Sequence, residues 1–421
     1  VLAWLGRLHP FQTPDARRLA LLFAVVYFAQ GMWYLPNLTI TLTLKDRGLS
    51  AGQVADFFAI TVIPWLIKPV YGLTSDFVPL AGSRRKNYLL LTSSLAAATG
   101  LALGLAAPHS YWWLAGLVTL MGLGLAFTDV LVDALMVENG KPRGLTGAFQ
   151  AVQWGAINTS SIVVGVLGGY LAAHRLLHAA FLLAACFPLI SLLMAAVFVR
   201  EAPARADREA FRRTWTAIRE ALGEREVWTV GGFILFWTFS PSFGPALVYY
   251  QTDALGFGEQ FIGFLDSLAA GTSILGALLY APLSRRLPLK RLIVYAIGVG
   301  VAGTLAYLVY RGRPSAIAIT AVFGCLGMIV QLAFLDLAAK ACPARVEATF
   351  FALLMSVYNG GTQLSQIVGG RLYDWVGFTN LVLISSAMTA LAWLLVPLVR
   401  MDYIEARARA AAAAEPSPAG V

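Results

Sequence analysis

Charge is scarce in this chain. Only 13% of its 421 residues are Asp, Glu, Lys or Arg, whereas 58% are hydrophobic and the mean hydropathy is +0.71. A soluble fold of this length cannot hide so much apolar surface behind so few charges. A cytosolic globule is excluded, and an integral membrane protein is indicated. Cysteine is nearly missing too. Cys186, Cys325 and Cys342 stand far apart, with neither pairing nor ligand spacing, so a disulfide framework and a thiolate metal site are both removed. The four histidines, His9, His109, His174 and His178, all fall outside the apolar runs. Any proton relay inside the membrane must therefore use carboxylates. No Walker loop, nucleophile triad or zinc-type motif occurs, which argues against an enzyme and implies no cofactor and no metal.

What is present is a succession of apolar runs of about 20 residues, the length that crosses a bilayer core. Twelve are marked, centred near residues 32, 63, 98, 124, 160, 188, 239, 270, 300, 326, 360 and 389. The first, from about Leu19, is too long for a signal-peptide core and reads as a span. A charge-dense connection, Arg200–Glu226, separates the sixth from the seventh. The expected organisation is residues 1–199 as a six-helix bundle, 200–226 as a central cytoplasmic loop, 227–404 as a second six-helix bundle, and 405–421 as a disordered tail.

The net charge of +9 follows from topology. Of 31 Lys and Arg, six (Lys45, Arg47, Arg175, Arg311, Arg313 and Arg371) fall on one side, and Lys68 lies inside a span. All the others lie on the side of the termini and central loop, which places that side in the cytoplasm. Nucleic acid is not needed to explain the basicity. The halves also repeat. "LKDRGLSAGQVADF" (Leu44–Phe57) lines up with "QTDALGFGEQFIGF" (Gln251–Phe264), and Asp133 aligns with Asp336. Two six-helix halves in parallel repeat indicate an all-α membrane protein of the major facilitator fold, with 12 transmembrane helices in two pseudo-symmetric bundles.

Polar residues inside such runs are costly and mark function or helix–helix adhesion. Lys68, in "PWLIKPVYGLTSD" (Pro64–Asp76), has two readings. It snorkels to the cytoplasmic surface, or it faces Asp129 and Asp133, four apart on one face of helix four. In the second reading the lysine neutralises one carboxylate and leaves the other to bind a proton or a polar ligand. The aspartate pair also fits a metal dyad of the kind membrane prenyltransferases use, but no second acidic cluster accompanies it. Asp336 is the acid deep in helix ten and the third candidate for proton coupling. Glu138 is expected to be solvated at the membrane edge. Gly72, Asp76, Arg84 and Arg85 form a gating candidate at the cytoplasmic end of helix two: a glycine for close helix approach, an acid, then bases. Simple topology anchoring is the alternative for the bases. The remaining substrate-binding candidates are Gln30, Tyr34, Asn37, Gln153, Trp154, Asn158, Trp237, Tyr358 and Asn359, amides and aromatics on helices that line cavities in this architecture. Pro241 and Pro245 are expected to break helix seven.

"YFAQGMWYLP", "LKDRGLSAGQVA", "IPWLIKPVYGLTSDFVPLAGSRRKNYLLL" and "TDVLVDALMVE" together resemble the folate–biopterin transporter family of the major facilitator superfamily, most closely over Tyr27–Gly169. A related muropeptide permease group shares the helix-two lysine. The resemblance implies proton-driven import of folates or pterins by a monomer in a bacterial inner membrane. It further implies Asp129 or Asp133 on the pterin edge, Trp154, Trp237 or Tyr358 stacking on the ring, and Lys68 facing the glutamate tail. Muropeptides and siderophores are the competing cargoes.

Overall fold

The computed structural model describes residues 11–106, 110–201, 203–205, 208–342 and 347–414. Among these, every regular element is helical, apart from one isolated bridge between Leu80 and Ser83. Nine helical stretches are long and apolar enough to cross a membrane. One of them, Phe350–Leu398, runs for 49 residues and folds over at Gly377, whose φ of 76° is open to glycine and strained for other residues. Gly244, at φ 42°, similarly restarts a helix.

The helices that position polar residues are the interrupted ones. The first span consists of α1 (Pro14–Gly31), a 3-10 turn over Met32–Tyr34, and α2 (Asn37–Asp46) after Pro36. Residues 51–77 are cut into three: α3 (Ala51–Thr61), α4 (Ile63–Leu66) and α5 (Lys68–Phe77). Pro64 and Pro69 each remove a backbone donor and crowd the preceding turn, so the helix restarts at each. The second restart makes Lys68 the first residue of α5. After Lys86–Leu105 (α6) come the long α7 (Tyr111–Gly140), α8 (Thr146–Ala173) and α9 (Leu177–Phe198). α7 extends about 45 Å at 1.5 Å per residue, long enough to carry residues from one surface to the other.

The central connection contains α10 (Arg208–Ala221), amphipathic through Phe211, Trp215 and Ile218 at helical spacing. Residues 225–254 break as their prolines predict, into α11 (Arg225–Thr238) and α12 (Gly244–Tyr249), followed by a π-turn over Tyr250–Ala254. α13 (Glu259–Arg286), α14 (Leu289–Ala306), α15 (Arg313–Ala341), α16 (Glu347–Leu395) and α17 (Met401–Ala414) complete the chain. The tail expected to be disordered from 405 is thus helical to Ala414, an alanine-rich run of high helix propensity. Residues 415–421 lie outside the described residues, as do His9 and His109.

Packing divides the chain into two units. The first comprises Val1–Leu49, Phe57–Asp207 and Gln251–Gly271, and the second Ser50–Asp56, Arg208–Tyr250 and Thr272–Val421. The two crossing segments, 50–56 and 251–271, overlap the loops that the internal repeat aligns. In the first unit an apolar core of Phe23, Tyr27, Leu131 and Phe149 packs α1, α7 and α8 together. Phe149 stacks on Phe11 and meets Phe23 edge-on. Water does not drive such packing within a bilayer. Close side-chain fit and interhelical hydrogen bonds hold these helices instead.

Candidate functional site

α7 carries Asp129 and Asp133 one turn apart, and the first unit surrounds both with donors. Lys68 Nζ donates to Asp129 Oδ2, and Gln30 Nε2 donates to Asp129 Oδ1 at 2.6 Å. The Lys68 ammonium also lies 4.7 Å from the centre of the Trp65 ring, within cation–π range. Side-chain exposure is 20% for Lys68 and 6% for Asp129, so the lysine is held inward by its partner rather than snorkelling. Asp133 is served differently. The Tyr27 hydroxyl and Gln153 Nε2 (3.0 Å) both donate to its Oδ1. Among the described residues no donor reaches Asp133 Oδ2. The cluster is therefore one cation, two carboxylates and three neutral donors, with one carboxylate oxygen open.

Three candidates from the sequence, Lys68, Asp129 and Asp133, thus come together, and Gln30 and Gln153 join them. Tyr27 and Trp65 were missed. Tyr27 precedes Gln30 by three residues on the same helix face, a spacing that points at the same neighbour. Trp65 becomes a neighbour of Lys68 only through the proline breaks. Tyr34 and Asn37 line a cavity of the first unit. Asn158 is turned back on its own helix, donating to the Trp154 carbonyl at 2.8 Å, and Trp154 is 39% exposed. Neither reaches the acids, because each faces away from the α8 side that Gln153 occupies.

The other candidates belong to the second unit. Trp237 stacks on Phe334 with ring centres 4.5 Å apart. Tyr358 and Asn359 are half-buried on α16. Asp336 accepts from Lys340 at 2.7 Å, one turn on in the same helix, so its charge is balanced locally.

At the cytoplasmic end of α5 the gating candidates separate. Arg85 pairs with Asp76 and, at 2.7 Å, with Glu138, and donates to Ser75 Oγ at 2.5 Å. Glu138 is half-exposed but ion-paired, not simply solvated, because Arg85 spans from α5 to α7. Arg84 contributes its backbone: its N–H donates to Glu201 at 2.9 Å, and among the described residues its guanidinium makes no ion pair. The close-approach role read for Gly72 is not required, since a Cβ there would meet Val130 at an ordinary 3.7 Å. Glu201, unnoticed in the sequence, caps α6. It accepts from the Ser83 hydroxyl and the backbone N–H groups of Arg84, Arg85 and Lys86. Burial pushes its pKa up, but these four donors outweigh burial and hold it below the usual carboxylate range.

Comparison with known proteins now bears on this arrangement. In solved structures the fold is similar to that of the nucleoside transporter NupG (TM-score 0.68, 13% identity, 94% of this chain and 99% of that one). It is also similar to a D-xylose–proton symporter (TM-score 0.67, 13% identity, 90% and 96%). Both are transporters of the major facilitator type, which establishes that fold here. By sequence the chain is 32% identical over 375 residues to the folate-biopterin transporter of Synechocystis sp., covering 84% of this chain and 74% of that one. It is 24% identical to the probable folate-biopterin transporter 4 of Arabidopsis thaliana (85% and 89%). It is 22% identical to folate transporter 1 of Plasmodium falciparum (85% and 73%). The family model that matches spans residues 30–413, from the glutamine that holds Asp129 to the end of the last helix, and the chain belongs to the BT1 family.

Proposed function

We propose that this chain is a transporter, not an enzyme, that imports folate- or pterin-type solutes by alternating access and couples their movement to protons. The observation that carries the coupling is the unequal treatment of the two α7 carboxylates. Asp129 is neutralised by Lys68, whereas Asp133 has only neutral donors and an open oxygen. Asp133 is the proton acceptor. With Tyr27 and Gln153 holding its other oxygen, a proton on Oδ2 removes the net negative charge of the trio without disturbing its geometry. A second protonation, at Asp129, releases Lys68 to pair with a carboxylate of the solute. Proton and anionic cargo then bind together because charge balance requires it.

The spans 51–77 and 225–254 cross the membrane as broken helices, which with the fold at Gly377 brings the count to twelve. The bundles of 1–199 and 227–404 act as the moving halves of a monomer in a bacterial inner membrane, termini inward, in line with the Lys/Arg bias. Arg85, bound to Asp76 and Glu138, is the gating residue at the cytoplasmic end. The names of the relatives support the cargo class.

Thermal stabilisation of the purified protein tests the reading, since a ligand that binds only the folded state raises the melting temperature with its concentration. Folate, 5-formyltetrahydrofolate and biopterin are expected to raise it, and muropeptides and siderophores are not. A shift with a muropeptide or siderophore alone would replace the cargo and leave the transporter standing.

A further inference from the structure

A second carboxylate within an apolar helix lies outside the hydrogen-bonded α7 cluster. Asp266 lies in α13, within an apolar span, and faces a cavity of about 260 Å³ in the first unit. Among the described residues no hydrogen bond or ion pair reaches it. Tyr34, Asn37, Leu38, Ser161 and Gly165 share the lining with it, and no lysine or arginine does. The site is built rather than incidental. A Cβ on Gly165 would fall 2.5 Å from the Gly263 carbonyl oxygen, so α8 and α13 meet backbone to backbone beside the acid. Ser267, next to Asp266, donates to the Ile162 carbonyl at 2.8 Å and locks this register.

An anionic acceptor without a cation, beside an exposed phenol ring and an amide, asks for a planar ligand that offers N–H donors. The volume lies just below the roughly 300–1,000 Å³ of pockets that take whole drug-sized ligands. It suits a ring system, not a complete folate. On α7 the acceptors are largely engaged, by Lys68 and Gln30 on Asp129 and by Tyr27 and Gln153 on Asp133. We propose that Asp266, with Tyr34 as stacking platform, is the recognition site for an aminopyrimidine edge, taking the ring N–H and the exocyclic amine of a pterin on its two oxygens. This deepens the folate/pterin reading and rests on it. It moves the ring away from Asp129 and Asp133 and leaves that pair to the proton and to Lys68. Tyr34 follows Gln30 by four residues, so one interrupted helix serves both sites.

The test compares pterin with lumazine, the same bicycle with a carbonyl in place of the exocyclic amine, by quenching of ligand fluorescence on the purified full chain. A carboxylate that needs the amine rejects lumazine, and the wild type is expected to favour pterin by at least about ten-fold. In Asp266→Asn that ratio falls to within about two-fold, while Asp133→Asn preserves it. Being a ratio within one preparation, it does not depend on how much of a variant folds. A ratio kept in Asp266→Asn, or lost in Asp133→Asn alone, overturns the assignment and leaves the transporter of pterins standing. Failure of the wild type to bind any pterin overturns both.

Discussion

Two aspartate–lysine pairs inside apolar helices differ in how they are made. In the first unit Asp129 takes its cation from Lys68, 61 residues away on another helix. In the second unit Asp336 takes Lys340, four residues on in the same helix. The internal repeat aligns Asp133 with Asp336 and suggests equivalent chemistry, yet the surroundings are not equivalent. A local pair is a property of one helix and survives any movement of that helix. A long-range pair ties α5 to α7 and holds only while both keep their places. Asp133, to which no cation donates among the described residues, is the third case, and the one we propose responds to a proton.

The sharpest way to break this comparison is Lys68→Ala. It strands the buried Asp129 charge, which typically costs about 3–5 kcal/mol, and is expected to abolish folate uptake and lower the melting temperature. Adding Asp129→Asn to it should restore most of the stability but not the uptake. Uptake at wild-type level in Lys68→Ala would return the lysine to a passive role. Asp133→Asn keeps the shape of the acid without its titration. The expected outcome is substrate binding within a few-fold of wild type and uptake that no longer responds to an imposed pH gradient, read with labelled folate in proteoliposomes.

Glu201→Gln sharpens the contrast at the membrane surface, where the acid serves the fold alone. Losing an N-terminal cap of this kind costs about 1 kcal/mol. Because folding lowers the Glu201 pKa, its stabilisation is complete above the ordinary carboxylate range and is lost as pH falls through the lowered value. Melting curves of wild type and Glu201→Gln should differ at neutral pH and converge in acid. The smallest effect is expected from Lys340→Ala, where an i,i+4 pair contributes about 0.3–0.5 kcal/mol. Uptake within two-fold of wild type is expected there. A loss comparable with that of Lys68→Ala would make the two pairs alike and remove the distinction.

Much of this molecule is set by composition and spacing alone. Apolar runs of bilayer length leave the backbone no choice but helix, since every N–H must be bonded within its own segment. Pro64, Pro69, Pro241 and Pro245 stand where helices break, whereas Pro188 and Pro282 lie inside continuous helices, so a missing donor marks a possible break that the surroundings then decide. The four-residue spacing of Asp129 and Asp133 places both on one face of α7, but whether Lys68 snorkels or pairs, and with which of the two, is decided only by the fold. Partner choice among neutral groups is decided there too. Whether Gln153 or Trp154 turns toward the acids depends on the rotation of α8, which only packing sets. That Arg85 and not Arg84 bridges Asp76 and Glu138, and that Glu201 closes the loop between them, depends on a turn bringing together residues more than 50 positions apart. Asp266 reads in sequence as one more acid in the outer part of helix eight. Only the fold, with Gly165 close against Gly263, sets it beside a cavity with no hydrogen-bond partner among the described residues, because local propensities carry no information about which surfaces are left unfilled.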